Sequence, residues 1–112
     1  MVDVMPISYL AIIDRVLVKE RSIIKESSRY FKIYLPSEYN DIWIKLCEEK
    51  KRVDVIVFLP ELIEHIDKIL AVKRRITREG GRFKVYLPKK YNSIWERLHH
   101  THRKVDLIIV FQ

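Results

Sequence analysis

This chain states one phrase twice. Residues 30–59 and 82–111 align without a gap, so that Tyr30-Phe31-Lys32-Ile33-Tyr34-Leu35-Pro36-Ser37-Glu38-Tyr39-Asn40 returns as Arg82-Phe83-Lys84-Val85-Tyr86-Leu87-Pro88-Lys89-Lys90-Tyr91-Asn92. Downstream, Ile, Trp, Leu, Val, Asp and Ile recur at equivalent positions. A looser echo of Pro6–Leu17 in Pro60–Leu70 extends the repeat over nearly the whole chain, giving copies at about 6–59 and 60–112. A unit of roughly 50 residues buries too little surface to be stable alone. The two copies are therefore expected to share one core, making residues 1–112 a single domain.

The periodicities within each copy define its elements. Val16–Ile24 and Ile69–Ile76 are rich in β-branched residues interrupted by charges, and read as strands. The only glycines, Gly80-Gly81, follow the second of these and predict a tight hairpin, while Ser27-Ser28 stands there in the first copy with a different loop length. Strict alternation then puts Phe31, Ile33 and Leu35 on one face and Tyr30, Lys32 and Tyr34 on the other, with Phe83, Val85 and Leu87 opposed to Arg82, Lys84 and Tyr86 in the second copy. Pro36 and Pro88 end these half-buried strands. The period next changes to that of a helix, with Tyr39, Ile42, Trp43 and Leu46, and Tyr91, Ile94, Trp95 and Leu98, on one face and Ser37 placed as an N-cap. Val53–Leu59 and Val105–Phe111 are apolar on both sides apart from Asp54 and Asp106, as in a central strand covered on both faces. The two aspartates are expected in structural ion pairs with Arg52 or Lys104. Pro60–Leu70 reads as a helix, with Pro first, acids in the first turn, and Leu62, Ile63, Ile66 and Leu70 on one face. The fold class is thus mainly β with short helices, a β-rich α+β arrangement.

The formal net charge of +7 is unevenly distributed. Residues 1–67 hold about 10 Lys and Arg against 12 Asp and Glu, whereas residues 68–112 hold about 12 against 3. The second copy alone is strongly basic, and points to a polyanionic partner. A single cysteine, Cys47, excludes an internal disulfide framework and fits a reducing compartment. The N-terminal apolar run carries Asp3 where a signal peptide needs a base and is closed by Asp14, so neither a signal nor a membrane span is expected. Two glycines and heavy use of Ile, Glu, Lys and Arg resemble the composition of a thermophilic archaeal protein.

The order of features in the second copy carries a family resemblance. Gly81-Arg82-Phe83-Lys84-Val85-Tyr86-Leu87-Pro88-Lys89-Lys90, a short helix ending at Leu98, and a closing strand beginning Lys104-Val105-Asp106-Leu107-Ile108 resemble the swapped-hairpin unit of the AbrB/MazE/SpoVT superfamily. The resemblance covers about 40 residues per copy. It implies that two such units, here fused in one chain, interleave into a pseudo-two-fold swapped-hairpin β-barrel that binds DNA. The chain departs from the family in carrying Trp43 and Trp95 in the helices, and Lys50 and His102 near the helix ends where the family has Gly.

The candidate interface is a basic stripe: Lys73, Arg74, Arg75, Arg78, Arg82, Lys84, Lys89 and Lys90, with Tyr86 on the outward face beside Arg82 and Lys84 for stacking. A hairpin puts alternate residues of two strands on one face, where they can meet successive phosphates. His99, His100 and His102 lack the spacing of a metal set, so no metal or other cofactor is expected, though the imidazoles can add phosphate contacts. No glycine-rich phosphate loop, His-Glu-x-x-His or Gly-x-Ser-x-Gly is present, and no enzymatic activity is expected. The expected function is nucleic-acid binding, to DNA or RNA, as an AbrB-like DNA-binding or chromatin- or transcription-associated factor. The alternative is an accessory subunit of a larger archaeal replication, transcription or ribosomal complex, binding protein through the first repeat. Either reading places the protein in the cytoplasm, on the nucleoid if it binds DNA, as a monomeric pseudo-dimer or a homodimer without membrane contact.

Overall fold

The structure is a computed structural model that describes residues 14–111. Strands β1 (Arg15–Ser22), β2 (Ile24–Lys25) and β3 (Phe31–Tyr34) lead into helix α1 (Asn40–Glu48), followed by β4 (Arg52–Ile63), β5 (Ile66–Glu79) and β6 (Arg82–Tyr86), helix α2 (Asn92–His100) and β7 (Lys104–Phe111). A short 3-10 turn, Ser37–Tyr39 or Lys89–Tyr91, introduces each helix. The strands form one antiparallel sheet in the order β1-β7-β4-β5-β6-β3-β2. Its two ends, β1 and β2, are separated in the chain by Ile23 alone, so the sheet curls into a half-barrel. Among the described residues no helix is long and apolar enough to cross a membrane. The N-terminal run and the Pro6 end of the repeat lie outside the described residues.

The register repeats with the copies exchanged. Ile33 pairs with Val85, flanked by Lys32 with Tyr86 and Tyr34 with Lys84. Likewise Ile56 pairs with Ile108, flanked by Val55 with Ile109 and Val57 with Leu107. Each central pair joins a residue to its own counterpart in the other copy. Beyond these strands, the amides of Leu35 and Leu87 donate to the carbonyls of Phe83 and Phe31 at 2.8 and 2.9 Å. The core is correspondingly shared: Phe31, Ile33, Phe83 and Val85 meet Val53, Val55, Leu107 and Ile109, with Trp43 and Trp95 fully enclosed. Each indole N–H, which would be costly to bury unpaired, donates to the carbonyl of Pro36 or Pro88 at 2.9 Å. Each Trp also meets Tyr39 or Tyr91 edge-on.

Several expectations need correction. Pro60–Leu70 is not a helix, because Pro60 lies within β4 and the chain reverses at Glu64-His65, both in the left-handed region at φ of 50° and 65°. This two-residue turn joins the Ile63–Ile66 pair. Pro60 is tolerated because β7 pairs with β4 only as far as Phe58, and the β4–β5 register is also broken between Phe58 and Ile63, so the missing N–H costs no ladder bond. Ser37 makes no capping bond; the 3-10 turn begins after Pro36, whose carbonyl accepts from the Tyr39 amide at 3.3 Å. The β4–β7 layer is covered on one face only. Its outer side shows half-buried Ile56, Phe58 and Ile108 beside exposed Leu17, Leu70 and Val72 on β1 and β5.

Candidate nucleic-acid interface

The site is organised by a β-bulge. Between the pairs Val55–Ala71 and Val53–Arg74, two residues of β5, Val72 and Lys73, stand opposite the single Asp54. Lys73 is left-handed at φ 53°, and its amide donates to Asp54 Oδ1 at 2.8 Å. The same device recurs on β1, where Glu20 at φ 54° donates its amide to Asp106 Oδ1 at 2.8 Å. The two aspartates thus have a structural role, but their partners are bulge amides rather than Arg52 or Lys104. An ionised acceptor makes these bonds stronger than ordinary backbone pairing.

Beyond its bulge, β5 runs Arg74-Arg75, and Arg75 stands directly opposite Arg52. The Arg52 guanidinium donates to the Lys73 carbonyl at 3.1 Å. Arg52 follows Lys50 and Lys51, which close α1: Lys50, at φ 55°, donates its amide to Cys47, and Lys51 donates to Leu46. This is the geometry of a Schellman cap, with a lysine where Gly is usual. Lys50, Lys51, Arg52, Lys73, Arg74 and Arg75 are thereby brought to one end of the β4–β5 ladder. Lys51 has Glu49 at 3.5 Å, but among the described residues no salt bridge neutralises Arg52, Lys73, Arg74 or Arg75. Arg74 Nε is buried with no hydrogen-bond partner among the described residues. Such an accumulation of like charge repels itself and is relieved by an anion.

The remaining residues of the expected stripe are placed elsewhere. Lys84 is buried, and so is its counterpart Lys32. Their ammonium groups lie between Glu26 and Glu79: Lys32 reaches both carboxylates at 3.0 Å, and Lys84 reaches Glu79 at 2.7 Å and Glu26 at 3.3 Å. Tyr34 donates to Glu79 at 2.6 Å and Tyr86 to Glu26 at 2.9 Å. The alternation placed Lys32, Lys84 and Tyr86 on an outward face, and did not foresee that the copies cover that face for each other. Burial pulls both ammonium groups down, but the surrounding tyrosines and glutamates outweigh it and hold them above the usual lysine range. Hydrogen bonds from Lys84, Tyr34 and Lys32 bring the Glu79 carboxyl down to about 2. Those from Lys32, Tyr86 and Lys84 lower Glu26 as well.

Arg82 lies over the Tyr34 ring at 3.4 Å from its centre, and Arg78 over Phe83 at 5.4 Å, with its Nε on the Gly80 carbonyl. Lys89 caps Tyr30, at 3.1 Å from the hydroxyl, which it holds below the ordinary phenol range. Lys90 is exposed near Tyr91. His99 pairs Nδ1 with the Ile23 carbonyl at 3.0 Å and meets Phe31 edge-on. No group of three or more His, Cys, Asp or Glu side chains suited to a metal occurs among the described residues.

Charge counting by copy missed the contribution of Lys50, Lys51 and Arg52, which belong to the near-neutral half. The signal was local: three consecutive bases ahead of a strand predicted to pair. No protein-family model matches the chain, and comparison with curated proteins and with solved structures likewise yields no match.

Proposed function

We propose that this protein binds nucleic acid, with duplex DNA as the principal ligand, and that the cluster of Lys50, Lys51, Arg52, Lys73, Arg74 and Arg75 is its phosphate-contacting surface. The observation carrying this reading is the Arg52–Arg75 pair, two exposed arginines opposite each other in register on neighbouring strands, next in the chain to Lys73 and Arg74. Directly opposed like charges destabilise a sheet, so their presence makes sense as a site for polyanion phosphates. The exchanged register of the two copies supports an AbrB-like swapped-hairpin arrangement, with the Lys84, Tyr86, Glu26 and Glu79 network acting as a joint between copies rather than as ligand contacts. The reading implies no catalysis and no cofactor.

Six phosphate contacts would make log K fall with log salt at a slope of about −5. Arg52→Gln with Arg75→Gln should reduce the steepness by about 2 and weaken binding several-fold at moderate salt, while leaving the thermal midpoint unchanged or raised. Fluorescence anisotropy with a labelled duplex measures both; an unaltered slope in this variant would sink the assignment. A second reading, an accessory subunit of a larger assembly, is favoured by exposed Leu17, Leu70 and Val72 on the outer sheet face. It predicts association with a large particle that survives nuclease treatment.

A further inference from the structure

The Arg52–Arg75 cluster has a counterpart where β1 of the first copy meets the start of β7 in the second. Where Arg74 pairs with Val53 and Arg75 with Arg52, Arg21 pairs with Val105 and Ser22 with Lys104. Both places follow a bulge whose amide is held by an aspartate, and in both the arginine Nε is buried with no hydrogen-bond partner among the described residues, on Arg21 as on Arg74. At the Ser22–Lys104 junction the surface is concave. Two adjoining cavities of about 290 and 330 Å³ share Ser22, Ile24 and Lys104, and between them are lined by Arg21, Arg82, His99, His102 and Arg103. The lining combines cationic and imidazole donors with apolar walls from Ile23, Ile24 and Leu98, which suits a phosphate with its attached sugar: the donors meet the anion and the apolar wall the sugar. Glu20 also lines it, and Arg103 is shared with Glu61, yet the positive groups outnumber these acids.

We infer that this groove at the β1–β2 bend is a second phosphate-binding site. It rests on the nucleic-acid reading in one respect: the phosphate it takes is a phosphodiester of the strand or duplex already held at the Arg52–Arg75 cluster, so two sites, each built from both copies, grip one polyanion. Ser22 in place of Arg75, and Glu20 in place of Lys73, make the groove the less charged of the two. Its contribution is therefore an added anchor.

The test uses the full chain, with Arg82→Gln and Lys104→Gln combined, first checked for an unchanged thermal midpoint. Salt-dependent binding to a labelled duplex is read beside the imidazole resonances of His99 and His102 during titration with inorganic pyrophosphate. The inference expects the salt slope to become shallower by about 2, and pyrophosphate to shift both imidazoles in the parent chain but not in the variant. If the slope is unchanged and the imidazoles do not move, while Arg52→Gln with Arg75→Gln still flattens the slope, the groove is overturned and the nucleic-acid reading stands. If the parent chain fails to bind duplex or single strands at low salt but its imidazoles respond to pyrophosphate and the variant's do not, the phosphate site stands and the nucleic-acid reading falls. Imidazole shifts of equal size in parent and variant overturn the assignment of Arg82 and Lys104.

Discussion

Asp54 and Asp106 show how one side chain fixes a local backbone that its neighbours then exploit. Each accepts from the amide of a left-handed bulge residue, Lys73 or Glu20. Asp54→Ala leaves that amide without its charged acceptor and should cost about 2 kcal/mol in chemical denaturation, with Asp54→Asn costing less because it keeps an acceptor oxygen. Glu79 makes a separate prediction about pH. Its carboxyl is lowered from 4.5 to about 2 by Lys84, Tyr34 and Lys32, so its stabilising effect is complete above pH 4.5 and is lost as pH falls through about 2. The thermal midpoint of the parent chain should fall across that window, and Glu79→Gln should start lower and fall less steeply. Parallel curves would mean that the network does not couple to folding. The raised Lys32 and Lys84 act oppositely, stabilising below 10.5 and ceasing to do so as pH rises through their folded values. Neither device was legible in the sequence. An aspartate in an apolar strand invites an ion-pair reading, and alternation alone cannot reveal that an outward lysine is covered by a glutamate 47 or 58 residues away.

Elements with strong internal periodicity were legible, and those decided by a distant partner were not. The Phe31-x-Ile33-x-Leu35 alternation, the Trp43 and Trp95 helical stripes and the Gly80-Gly81 hairpin follow from spacing and turn chemistry, and the structure has each of them. Pro60–Leu70 carried equally good helical spacing, but β4 continues through Pro60 to the Ile63–Ile66 pair and β5 then returns along it, and Glu64-His65 gave no glycine or asparagine cue for its turn. Only tertiary pairing could override the local pattern. The basic cluster was half legible for the same reason, since Lys73-Arg74-Arg75 are contiguous but Arg52 joins them through a ladder. The helix ends offer a prediction at this scale. Lys50 and His102 occupy left-handed cap positions at φ 55° and 57°, and a glycine there avoids the strain that a Cβ carries. Lys50→Gly should raise stability by about 0.5–1 kcal/mol in denaturant titration. Because Lys50 also belongs to the proposed interface, the same variant should make the salt slope of DNA binding shallower by about 0.9. Stability and affinity should therefore move in opposite directions. A variant that gains stability with an unchanged slope would remove Lys50 from the interface.

At the scale of the molecule, neither copy contains its own core. β3 pairs with β6 and β4 with β7, and the cluster joining Phe31, Ile33, Trp43 and Val55 to Phe83, Val85, Trp95 and Leu107 is continuous. Within the first copy, β2 and β3 share only the Ile24–Lys32 and Lys25–Phe31 pairs, far short of a stable sheet. Cutting the chain at the exposed Glu64-His65 turn should therefore leave two fragments that are each unfolded by circular dichroism, since each loses the partner for its longest apolar strand. Mixed in equal amounts, they should regain the β-rich spectrum and unfold in one concentration-dependent transition, because association now replaces the covalent turn. Phe83→Ala, whose side chain is enclosed at the joint between copies, should destabilise the intact chain by about 3–5 kcal/mol and abolish this complementation. The cut lies at the end of the β4–β5 ladder opposite to Arg52 and Arg75, so the reconstituted pair should also recover binding to duplex DNA with the parent's salt slope. A fragment that folds by itself would place a complete core within one copy, and would contradict a shared one.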